Sequence, residues 1–104
     1  MDFTYTRLAK VLGASAVEGS GPNARFEVRG PAGGVLKVSA EGNEQRVMAV
    51  LKDAAGVTRC TVDVAPVTHC TEDPNFPGRV TLHVGHMLVV IDSQPSLAIE
   101  VTTT

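Results

Sequence analysis

Aromatic side chains make up only 4% of the 104 residues and Trp is absent, so a core has to be built from Val, Leu, Ile and Met with three Phe. Such small side chains suit a thin, two-layer interior. An excess of positive charge is also missing, since nine Lys and Arg face eleven Asp and Glu for a net charge of -2. Without a basic field the chain has no means of attracting phosphate backbones, and nucleic acid is excluded as an expected partner. No apolar run approaches the roughly 20 residues of a spanning helix. The opening MDFTYTRLAK lacks the basic-then-apolar order of a signal peptide. No membrane insertion is expected, and the chain reads as cytoplasmic, with the reservation that targeting signals would lie out of sight if Met1 opens an excised fragment.

What is present is enough apolar residue, 43% against 19% charged, to fold a single domain spanning 1–104. The dominant local pattern is strict alternation, which turns one face of a strand to the core and the other to water. In Ala24-Arg25-Phe26-Glu27-Val28-Arg29 it runs without a fault and points Phe26 and Val28 inward. Leu36, Val38 and Ala40 alternate with Lys37 and Ser39 between the turn signals Gly33-Gly34 and Gly42-Asn43. Residues 46–52 are apolar on both faces, compatible with a short helix, but Val47 and Val50 favour a strand. Alternation continues through Cys60, Val62 and Val64, and then through Val80, Leu82 and Val84. After an apolar run at 87–91, Pro95 marks a kink or bulge on an edge strand before Leu97, Ile99 and Val101 resume the rhythm. Thr6 to Leu12 fits either a strand or one helical turn, and Leu8-Lys10-Leu12 reads as an opening strand.

The expectation is an all-β sandwich of about seven antiparallel strands. The strands fall near 6–12, 24–29, 35–40, 46–52, 58–65, 79–84, and 87–91 continuing as 97–102, with loops at 19–23 and 71–78.

The order of landmarks resembles a filamin-type immunoglobulin-like repeat from about Lys10 onward. The residues that carry it are Ala24 to Val28, the turn Pro31-Ala32-Gly33-Gly34 with the strand after it, Ala40-Glu41-Gly42, Asp53-Ala54-Ala55-Gly56, Pro77-Gly78 with the strand after it, and the closing stretch from Ile91. The chain departs from the pattern in a longer loop over 67–75, in Gln94 between Ser93 and Pro95, and in Leu97 where Phe is usual. The resemblance implies a non-catalytic interaction or scaffolding module, cytoskeleton-associated, that takes a partner peptide as an extra strand beside its third and fourth strands. The groove it implies involves Lys37, Ser39, Ala49 and Leu51. Alternatives are a spacer that self-associates through an edge strand and an extracellular Ig-like adhesin domain.

Side chains capable of chemistry are few and poorly spaced. Cys60 and Cys70 are near enough in sequence for a loop-closing disulfide in an oxidising compartment, but read as two free thiols, Cys60 buried and Cys70 in a loop. His69, His83 and His86 lack zinc spacing and read as surface histidines. Ser93 and Cys70 have no setting for a nucleophile. Gly30 to Gly34 is a turn without the Lys-Ser/Thr of a phosphate loop, and Glu72 and Asp73 offer too few oxygens for calcium. No enzyme activity, metal or cofactor is expected; the expected partner is a protein, a peptide or a second copy of the chain.

Overall fold

Thr4 starts helix α1 (Tyr5–Leu12) by accepting the Arg7 N–H on its hydroxyl at 3.1 Å, and Gly13 ends it in the left-handed region at φ 82. In the computed structural model, which describes residues 2–103, this helix replaces the opening strand expected at 6–12. The physical reason is the spacing of Tyr5, Leu8, Ala9 and Leu12, which fall on one helical face and are all buried. A helix of eight residues does not hold itself together in water. It is held by packing against two of the strands, β1 (Arg25–Arg29) and β6 (Arg79–Val84).

The remaining strands are β2 (Val35–Ser39), β3 (Val47–Lys52), β4 (Thr58–Val64), β5 (His69–Glu72), β7 (Met87–Asp92) and β8 (Ala98–Thr103). Among the described residues there are eight strands rather than about seven, in two four-stranded antiparallel sheets ordered β1-β2-β3-β4 and β5-β6-β7-β8. Two differences from expectation account for the count. β5 occupies sequence read as loop, because its residues pair with β6, His69 opposite His83 and Cys70 opposite Leu82. The run at 87–91 does not continue into 97–102; the chain reverses through Pro95, after a cis Gln94–Pro95 bond, and β8 pairs back on β7.

The layers are a β-sandwich whose inner faces follow the alternation. Phe26, Val28, Leu36, Val38, Val47, Ala49, Val62 and Val64 come from the first sheet, and Cys70, Val80, Leu82, Val84, Val89 and Ile91 from the second. Helix α1 adds its apolar face to the same cluster. Each sheet uses consecutive strands, so the order is that of two meanders; the exchange of strands between sheets that marks an immunoglobulin sandwich is not part of it. No described helix is long and apolar enough to cross a membrane.

Candidate functional site

Lys37 and Ser39 point to the outer face of the first sheet, whereas Ala49 is fully buried and Leu51 packs against the core. The four residues therefore lie on opposite faces and do not form one groove. Their strands also offer no edge, since β2 is paired with β1 and β3, and β3 with β2 and β4. Strand addition requires unpaired backbone groups, which occur only on the outer strands of each sheet.

The edge of β1 borders a concave feature that includes two of the predicted residues, Lys37 and Ser39. Glu18 and Arg25 exchange two backbone hydrogen bonds of 2.8 and 2.9 Å along this edge. Residues in an antiparallel strand alternate in the side to which they present their N–H and C=O. Arg25 presents them outward, so Glu27 and Arg29 do the same. Phe26 and Val28 bond inward to β2, a register anchored by the Ala40 N–H to Ala24 C=O bond of 2.9 Å. Among the described residues no other backbone hydrogen bond joins this stretch to β1, though Ser15 and Ala16 stay beside it. Between residues 15–18 and the faces of β1 and β2 lies a cleft of about 510 Å³, lined by Ser15, Glu18, Arg25, Glu27, Lys37 and Ser39 among others.

Charge in this cleft is slightly acidic, with Glu18, Glu27 and Glu41 against Arg25 and Lys37. Arg25 meets Glu18 at 3.3 Å, and Lys37 meets Glu27 at 3.8 Å, both pairs well exposed. Exposed pairs of this kind contribute little to stability, but they leave no concentrated field of either sign. Lys37 and Ser39 thus line a cleft, as neighbours of the open edge rather than its owners. Glu18, Glu27 and Arg29 had no place in the sequence-derived groove. The signal for the first was present, as Glu18 and Arg25 are opposite charges flanking the turn-rich Gly19 to Asn23.

The remaining reactive groups are dispersed. Cys60 is half-buried in β4 of one sheet and Cys70 is buried in β5 of the other, both as free thiols; burial raises the Cys70 thiol pKa. The expected exposures are reversed because β5 turns Cys70 toward the core beside Leu82. His69 and His83 stack across β5 and β6 with ring centroids 4.0 Å apart, and Thr71 Oγ1 lies 3.0 Å from His83 Nε2. Burial first, then the neighbouring His69, lowers the His83 pKa. Ser93 is buried and donates to the Gly78 carbonyl at 3.2 Å. Among the described residues no group of three or more His, Cys, Asp or Glu is placed to hold a metal ion. Comparison with family models, with curated proteins and with solved structures returned no match.

Proposed function

We propose that this chain is a non-catalytic interaction module that takes an extended peptide as an added strand on the open edge of β1. The observation that carries this reading is the outward backbone of Glu27, beside a cleft of about 510 Å³, and of Arg29 beyond it, with Arg25 alone bonded along this edge by the chain's own backbone among the described residues. Addition to an open strand edge is a general mode of peptide recognition; β2 is paired on both sides, so β1 is taken here as the receiving strand. Main-chain bonds would give affinity there, with selectivity coming from the side chains of Glu27, Lys37 and Ser39. The excess of one acid in the cleft, Glu18, Glu27 and Glu41 against Arg25 and Lys37, disfavours an acidic peptide.

Proline at position 27 separates binding from folding. The Glu27 N–H faces away from β2, and proline is tolerated on a strand edge whose N–H faces solvent. Peptides selected from a random displayed library against the parent chain are expected to bind the Glu27→Pro variant at least tenfold more weakly, a loss of about 1.4 kcal/mol, with the melting temperature little changed. Hydrogen exchange should show the Glu27 and Arg29 amides slowing when peptide is added. Unaltered affinity in the variant, or protection appearing on another strand, would remove β1 as the receiving edge.

A further inference from the structure

The hydrogen-bond alternation followed across the first sheet also fixes which groups β4 leaves open. Phe26 and Val28 bond to Val38 and Leu36, so Lys37 and Ser39 bond to Val50 and Met48. In turn Ala49 and Leu51 bond to Val62 and Cys60. Thr61 and Asp63 are left with N–H and C=O directed away from the sheet. Among the described residues, no backbone hydrogen bond from elsewhere in the chain reaches 58–64 on that side.

We infer that β4 is the self-association edge of this protein, receiving β4 of a second copy antiparallel about a two-fold axis through Thr61. That register sets Thr61 opposite Thr61 and each Arg59 opposite Asp63 of the other copy. Both charged side chains stand on the outer face, 66% and 42% exposed. Opposite charges directly across an antiparallel pair are favourable, and the symmetry makes the pair twice. The row extends further, because Arg59 holds Asp53 at 2.7 Å and the Arg46 Nε holds Asp63 at 2.7 Å. Across the axis the order becomes Asp53, Arg59, then Asp63 and Arg46 of the second copy, alternating in sign throughout. On the inner face Cys60 would lie opposite Val62 and lose its partial exposure.

The other edges are less suited to a second copy. β1 is open only at Glu27 and Arg29 because Glu18 covers Arg25, β5 is bridged at His69 by Asp2, and β8 carries Glu100 but no Lys or Arg of its own to face it across a two-fold axis. This surface is separate from the peptide edge on β1, so either reading can fail while the other stands.

Two charge reversals test it, measured by sedimentation equilibrium across micromolar to millimolar concentrations. The parent chain is expected to dimerise, and Arg59→Asp alone and Asp63→Arg alone to dimerise at least tenfold more weakly, since each places like charges opposite one another twice. An equimolar mixture of the two variants should recover the parent affinity as a heterodimer, because both cross-strand pairs are then restored while each chain keeps its own internal change. A parent that stays monomeric throughout, singles as strong as the parent, which would point to β8 or β1, or a mixture that fails to recover, would each overturn the assignment. Circular dichroism of both variants at low concentration confirms that they remain folded.

Discussion

His83 illustrates how one side chain can make stability depend on pH. Its imidazole is held below its ordinary value of 6.5 by burial first and then by the stacked His69. As pH falls, the unfolded chain therefore takes up this proton before the folded chain does. The sign follows from linkage: stability is unaffected well above pH 6.5, and is lost as pH drops from there toward the lower folded value. Thermal unfolding between pH 8 and 5 should show the midpoint falling below about pH 6.5, and His83→Gln should flatten that fall. An identical slope in the variant would place the sensitivity elsewhere. Asp53 and Asp63 act in a different window. Asp53 is lowered chiefly by the Val57 N–H and Asp63 chiefly by the Arg46 side chain. Their contribution is present above the ordinary carboxylate range and is lost only in stronger acid.

Among the elements, α1 depends most on its ends. Thr4→Ala should cost about 1 kcal/mol by leaving the Arg7 N–H without its hydroxyl partner, measurable by urea unfolding with unchanged slope. The same helix shows where the sequence was ambiguous. Leu8 and Leu12 are four apart, a spacing that fits both a strand face and a helix face, but Lys10 would share their face in a strand and does not in a helix. Tyr5 and Ala9, with Thr4 before and Gly13 after, fit only the helix. β1, β2, β4 and β6 were legible because each buries one face and wets the other. β5 was not, since its only inward side chain is Cys70 and a four-residue strand cannot display a period. The receiving edge was equally hidden. Alternation reports which face of a strand is buried but not which neighbours it has, so Lys37 and Ser39 could be placed on the surface while the openness of β1 and β4 could not be read.

At the scale of the whole molecule, a single apolar cluster joins both sheets and the helix. Phe26 sits within it, 3% exposed, its ring meeting that of Tyr5 edge-on with centroids 6.2 Å apart. Phe26→Ala should lower unfolding stability by about 3 to 5 kcal/mol. Because the core is shared, far-ultraviolet circular dichroism and tyrosine fluorescence should lose their signals together. Separate transitions would mean that the two meanders hold independently. Some closing contacts lie far apart along the chain. The Tyr5 hydroxyl donates a hydrogen bond to the Arg46 carbonyl, and Arg7 reaches Glu72 at 2.9 Å.

The position of α1 has a consequence for synthesis. Its apolar face rests partly on β6, so this segment, translated before β6, gains its full cover only once the chain has been made as far as Val84. Until then a greasy stretch too short to stay coiled by itself waits in the open, and a chaperone that recognises such stretches would find its target at Tyr5–Leu12.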